Sequence, residues 1–221
     1  MGHFIHLSEE NYLKTLYKLT FKQVKKVNNI ALAKELGLNP ATVLEMVRKL
    51  ASKKLVKVSG DKTIQLTESG KKNALLIIRK HRLWEVFLTE KLKYAWNEVH
   101  ELAEQLEHVE SEDMIDRLEA FLEYPAFDPH GDPIPDRNGN IKSKTSVSLA
   151  SAVHGKTYIV INLADTSDSF LDYLGRLNIK PGSKFKLVEH NQYDNSSTIT
   201  IQKKMISLSE KVAKNILVQP A

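Results

Sequence analysis

Only Gly37, Leu38 and Asn39 separate two amphipathic stretches, NNIALAKEL and PATVLEMVRKL, and this spacing constrains the chain more than any other feature. In the first stretch Asn29 is placed to cap a helix whose Ile30, Ala33 and Leu36 share one face, and Gly37 ends it. In the second, Asn39 caps and Pro40 takes the first helical position, where its missing N–H is no loss; Val43, Val47 and Leu50 point inward. Two short helices joined by so tight a turn predict a helix-turn-helix, whose second helix is the one that enters a DNA major groove.

Upstream, Ser8 followed by Glu9 and Glu10 predicts the start of a helix with Tyr12, Leu13, Leu16, Tyr17 and Leu19 as its apolar stripe. A basic connection over residues 22–26 follows. Downstream, residues 55–59 and 63–66 flank Gly60, Asp61 and Lys62 and read as a β-hairpin. Helix, helix-turn-helix and hairpin in this order make a winged helix over residues 1–72. In that fold Asn39, Ala41, Thr42 and Glu45 face base edges, while Arg48, Lys49, Lys53 and Lys62 meet or flank phosphates.

Charge supports this division. Residues 1–72 hold 14 Lys and Arg against 6 Asp and Glu, so they carry 14 − 6 = +8 of a whole-chain +5, leaving −3 for the rest. Residues 98–123 contain ten acids and a single base, Arg117. A basic module for a polyanion is thus joined to an acidic one suited to cations. Without cysteine there is no disulfide framework, thiolate metal site or thiol nucleophile. MGHFIHL lacks the features of a secretory signal, and no run approaches the ~20 apolar residues of a membrane span, so a cytoplasmic protein without a membrane partner is expected.

In the middle, Thr67 caps a helix that runs through Leu75, Ile78 and Leu83 to about Leu92 and carries His81 and Glu85. Asn97 caps another in which His100, Glu104, Glu107 and His108 recur at i, i+4, i+7 and i+8, one face at roughly 100° per residue. Ser111 caps a third, with Met114, Ile115, Leu118, Phe121 and Leu122 apolar. A charged stripe is ordinarily solvated surface. Here imidazoles accompany the carboxylates and the stripe of Leu102, Ala103, Leu106 and Val109 adjoins them, which suits a divalent transition metal. HExxH is absent, because Glu104 stands where its second histidine would be. The surplus of apolar faces predicts pairing with a second copy, and two recognition helices one DNA turn apart would match a palindromic operator.

Residues 124–140, dense in Pro, Gly and Asp, read as an ordered loop that closes a helical domain over 73–140. KSKTSVSLASA reads as a flexible tether, 141–152. Strands over 158–163, 184–189 and 198–202, a short helix near 169–176 and a C-terminal helical turn near 209–217 predict a small SH3-like β-barrel over 153–221. The fold class is mainly α with a small β domain.

ENYLKTLYKL, NPATVLEMVRKLASKKLV, LTESGKK, RKHRLWEVFL, VHELAEQLEH and PHGDPIP together resemble the diphtheria toxin repressor family of metal-dependent transcriptional regulators over nearly the whole chain. LGRLNIKPGSKFKLVEH is similar to the SH3-like module that ends its longer members. The resemblance implies an activating metal site of Glu104, Glu107 and His108, joined by Asn11 of the first helix. It also implies an ancillary site of His81, Glu85 and His100, with Asp128, Asp165 and Asp168 as candidates to complete it. This chain departs from the family at three positions. Asn11 replaces an Asp or Met, and Glu104 stands where the iron-responsive members carry Cys. Lys14 stands where manganese regulators with a closely spaced ion pair carry Glu, which speaks against a second close-packed ion. Hard oxygen ligands with one imidazole favour Mn²⁺ or Fe²⁺, manganese first.

The reading that follows is a Mn²⁺- or Fe²⁺-dependent regulator, a repressor of metal-uptake genes, that binds double-stranded operator DNA as a homodimer and is not an enzyme. The alternatives are a winged-helix regulator indifferent to metal and a metallohydrolase. The second lacks any nucleophile or oxyanion signature.

Overall fold

A computed structural model describes residues 2–21, 26–141 and 145–221. The basic connection expected over 22–26 lies outside the described residues except for Lys26. Two compact units result. One comprises Met1–His81, Leu106–Glu110 and Pro135–Ile141, the other Arg82–Gln105, Ser111–Ile134 and Lys142–Ala221.

The first unit holds α1 (Gly2–Phe21), α2 (Asn29–Leu36), α3 (Pro40–Ser52), the hairpin β1 (Val56–Val58) with β2 (Ile64–Leu66), and the start of α4 (Glu68–Glu90). Tyr12, Leu16, Leu32, Val43, Val47, Leu50 and Ala74 close one core, which is the inward stripe of the helix-turn-helix as its periodicity predicts. Gly37 ends α2 at φ 66, where its N–H reaches the carbonyls of Ala33 and Lys34. Asn39 caps α3 from its side-chain oxygen to Ala41 N (2.8 Å), with Pro40 next.

Two starts differ from expectation. Asn28, not Asn29, caps α2 by accepting from Ala31 N, and α1 begins at Gly2, so Ser8 lies inside the helix. Glu9 is then mid-helix, where it gains a tertiary role on α3.

In the second unit the later part of α4 packs through Leu83 and Val86 against Ile115, Leu118 and Leu122 of α6 (Glu112–Phe121), capped by Ser111 onto Met114 N. Thr67 caps α4 as its position predicts, accepting from Gly70 N. A 23-residue helix thus contributes to both units, which is why the expected boundary after residue 72 does not coincide with a break in packing. α5 (Val99–Leu106) begins two residues after Asn97, so Asn97 is not at its cap position; its amide donates to Asp172. α5 also stops at Leu106, so Glu107 and His108 are not on the helix that carries His100 and Glu104.

The remaining strands form a six-stranded antiparallel sheet, ordered β3 (Val147–Ser148), β8 (Ile216–Pro220), β4 (Thr157–Leu163), β5 (Lys184–His190), β6 (Ser197–Ile201), β7 (Lys204–Leu208), with α7 (Asp168–Arg176) and α8 (Glu210–Asn215). Tyr158, Val160, Phe185, Leu187, Ile199 and Val218 face its core with Phe170 and Leu174 of α7. Within the expected tether, Val147 pairs with Val218 and Leu149, in a short 3-10 helix (Leu149–Ser151), is fully buried in the core of this sheet. Tether residues 142–144 lie outside those described. A bulge in β4 between Val160 and Asn162 shifts the alternation so that Leu163 turns inward, which spares the polar Asn162 from the core.

Candidate metal centre and nucleic-acid face

Within the second unit, Glu85 of α4 meets Asp128 and His130 of the loop PHGDPIP. One ligand atom from each lies within 4.8 Å of the others, and all three side chains are buried. The loop builds this geometry itself, because Asp128 Oδ1 accepts from His130 N (2.8 Å) and Asp132 N (2.9 Å), folding the chain tightly around Gly131. His130 Nε2 lies 2.9 Å from the Trp96 carbonyl, to which it donates, and the indole stacks on the imidazole at 5.9 Å. That bond leaves Nδ1 to face Glu85 Oε2 at 3.8 Å, the tautomer and orientation a metal-ligating histidine needs. His100 Nδ1 stands 3.3 Å from the other oxygen of Glu85, and His100 Nε2 3.7 Å from Glu104.

Arg82 braces the group, its Nε 3.4 Å from Asp128, its guanidinium 3.1 Å from Asp132 and donating to the Pro133 carbonyl at 2.5 Å. Asp132 in turn accepts from Asn162 at the β4 bulge (2.7 Å), so loop and sheet are joined. Three carboxylates, those of Glu85, Asp128 and Asp132, crowd together here. Burial raises the Asp128 carboxyl, the charges of Glu85 and Asp132 raise it further, and Arg82 and His130 only partly offset them, leaving it at about 7. For His130 burial works downward, but hydrogen bonding and charge from Glu85 and the charge of Asp128 outweigh it and lift the imidazole to about 9. An excess of buried anion around a fixed imidazole fits a divalent ion, and two carboxylates with one nitrogen fit Mn²⁺ or Fe²⁺.

Protons occupy the place an ion would take, which sets the sign of the pH dependence. An ion needs Asp128 ionised and His130 neutral, so uptake is expected to release two protons below about pH 7 and one between about 7 and 9. Mn²⁺ affinity should therefore rise with pH up to about 9. Titration calorimetry at pH 8 in buffers of differing ionisation enthalpy measures the release, and none at that pH would contradict this assignment.

In the first unit two of the expected activating ligands stay near one another, His108 Nε2 3.8 Å from Glu107, and each has a further partner. Glu107, wholly buried, receives Lys14 Nζ at 2.5 Å on one oxygen and lies 2.6 Å from His81 Nδ1 through the other. His108 Nδ1 lies 2.5 Å from Glu10. Asn11 Oδ1 is buried with no hydrogen-bond partner. Asp165 turns its carboxylate back to Ser167 N, and Asp168 sits exposed in the first turn of α7.

On the α3 surface Ala41, Thr42, Glu45 and Arg48 are exposed, as are Asn39 and, in the hairpin turn at φ 67, Lys62. The carbonyl oxygen of Asn39 is spent on the cap. Lys49 differs from expectation: with Lys53 it clasps Glu9 (2.7 and 2.8 Å), and their two charges hold the Glu9 carboxyl below the usual range although burial alone would raise it.

The chain matches the family descriptions "Iron dependent repressor, N-terminal DNA binding domain" over residues 6–64, "Iron dependent repressor, metal binding and dimerisation domain" over 67–136, and "FeoA domain" over 147–220. It is 32% identical to a manganese-dependent transcriptional repressor solved with manganese, covering 96% of this chain and 100% of that one at a TM-score of 0.84. This chain belongs to the diphtheria toxin repressor family. The diphtheria toxin repressor of Corynebacterium diphtheriae is 29% identical over 95% of this chain and 96% of its own length. The iron-dependent repressor IdeR of Mycobacterium tuberculosis is 38% identical over 126 residues, 57% of this chain. Against IdeR the match spans about half of the relative's length, 54%. The solved manganese regulator SloR is 31% identical, covering 96% of this chain and 98% of that one, with a TM-score of 0.76.

For this family member, helical spacing drew attention to α4 and α5, and it missed His130 altogether. A signal was present: Asp128 and His130 two residues apart, in a loop stiffened by Pro and Gly, is a chelating pattern that a search for helical periodicity passes over.

Proposed function

We propose that this protein is a Mn²⁺- or Fe²⁺-responsive transcriptional regulator, a repressor of metal-uptake genes that acts in the cytoplasm as a homodimer on palindromic double-stranded DNA. The buried Glu85–Asp128–His130 group carries the reading, in a chain whose winged helix exposes Thr42, Glu45 and Arg48. Its similarity to iron-dependent and manganese-dependent repressors supports it. When bound, the ion would be held by Glu85, Asp128 and His130, with Arg82 bracing the Asp128 carboxylate. An ion that favours one dimer geometry sets the distance between two recognition helices, so metal and DNA binding strengthen each other by the same factor, typically ~5–150-fold.

The test is fluorescence anisotropy with a duplex selected by the protein from a random-sequence pool, at one fixed salt concentration, with Mn²⁺, Fe²⁺ and Zn²⁺ compared side by side. DNA affinity indifferent to all three ions would refute the proposal. In the same assay Arg48→Ala is expected to weaken every duplex alike and to lower the slope of log affinity against log salt by about 1, the signature of one lost phosphate contact. An unchanged slope would remove Arg48 from the interface.

A further inference from the structure

We propose that Lys14 is the built-in cation of the first unit's acidic pocket, and that Glu107 is therefore not a metal ligand in this chain. Family resemblance makes Glu107 an activating ligand. The geometry gives its carboxylate away instead: one oxygen to the Lys14 ammonium at 2.5 Å, the other to His81 at 2.6 Å. Lys14 is 4% exposed and Glu107 0%, so this is a buried, charge-neutralised pair and not a surface contact that an arriving ion brushes aside. An ion on Glu107 would have to expel the ammonium from a pocket that gives it little water to retreat into, or accept a second positive charge beside it.

The neighbouring groups agree. His108 Nδ1 lies 2.5 Å from Glu10 and its Nε2 3.8 Å from the same Glu107 oxygen that Lys14 holds, and α1 offers a neutral amide, Asn11, one turn before Lys14. The buried Asn11 Oδ1 without a partner is the group that an ion would satisfy. A single neutral oxygen is a poor substitute for the carboxylate that Lys14 has claimed. The consequence is mechanical. Lys14 fastens α1 to the segment after α5 across 93 residues of sequence with no metal, and the metal response is left to Glu85, Asp128 and His130.

The experiment counts Mn²⁺ bound per protomer of the full chain by equilibrium dialysis and elemental analysis, with melting by circular dichroism to verify folding. Glu107→Gln alone strands a buried ammonium and can unfold the protein, so the informative variant is Lys14→Met with Glu107→Leu, which removes both charges together. It should fold and bind as many ions as the native chain. Lys14→Glu should bind one more ion per protomer. A double variant that binds one ion fewer, or Lys14→Glu with no gain, overturns the proposal. Repeating the counts in a His130→Ala background separates this outcome from a failure of the Glu85–Asp128–His130 reading: if that reading holds, His130→Ala lowers the count before any change at Lys14, and if it fails the count stays as in the native chain.

Discussion

His130→Ala is expected to weaken Mn²⁺ binding at the second-unit centre by on the order of 100-fold, since even partners of metal ligands are worth roughly 10–100-fold when removed. The imidazole is the only nitrogen in the group with Glu85 and Asp128, and it is also what Trp96 holds through its carbonyl and stacked ring. Alanine removes ligand and brace at once, while the loop's own bonds from Asp128 to the amides of residues 130 and 132 are untouched, so the fold should survive. Calorimetric titration gives the affinity. The same variant should lose most of the metal stimulation of DNA binding, a factor of ~5–150 by the proposed coupling. Mn²⁺ affinity within a few-fold of native would place the ion elsewhere.

Gly131→Ala should be strongly disruptive, because the added methyl group meets backbone. Gly131 sits at φ +90, and a Cβ there would lie 2.0 Å from the Ile161 carbonyl oxygen and 2.9 Å from Asn162 Cα, both backbone of β4. Left-handed backbone alone costs about 1–2 kcal/mol for a side chain, and forced overpacking typically adds about 1–3 kcal/mol. The loop must therefore lift from the sheet, which breaks the Asp132–Asn162 bond and shifts Asp128 and His130 away from Glu85. A loss of roughly 2–5 kcal/mol in urea unfolding, with Mn²⁺ affinity falling about tenfold or more, is expected. Gly155→Ala is the control: Gly155 has a similar φ of +81 but nothing within 4 Å, so it should show the backbone cost without the loss of metal affinity. Equal effects from the two substitutions would mean that the close approach to β4 is not what positions the loop.

Those two variants probe what was hardest to foresee. The helix-turn-helix was legible because everything that specifies it is local: Gly37 turning left-handed, Asn39 and Pro40 starting α3, and the 3.6-residue rhythm of Val43, Val47 and Leu50. Ser111 and Thr67 were readable as caps for the same reason. Asn97 carried the same local signal, but α5 begins only at Val99, one residue too late for Asn97 to stand at its cap position, and the Asn97 amide donates to Asp172, 75 residues away. The pairing of Val147 was not legible among small polar residues, because its partner Val218 arrives only at the C-terminus, and Leu149 is buried beside it in the same sheet's core.

The site followed the same division. Residue types and spacing along α4 and α5 were enough to say that carboxylates and imidazoles gather in the middle of this chain, and an excess of acid there already asked for a cation. Which carboxylate meets which cation was decided in three dimensions. Glu107 left the helical face to take Lys14, and Glu85 found Asp128 and His130 more than 40 residues further on. A helix repeat is set by hydrogen bonds between residues four apart, so sequence alone reveals it. The partner of a buried charge is set by whichever opposite charge packing brings close enough to offset desolvation, and only the folded chain makes that choice.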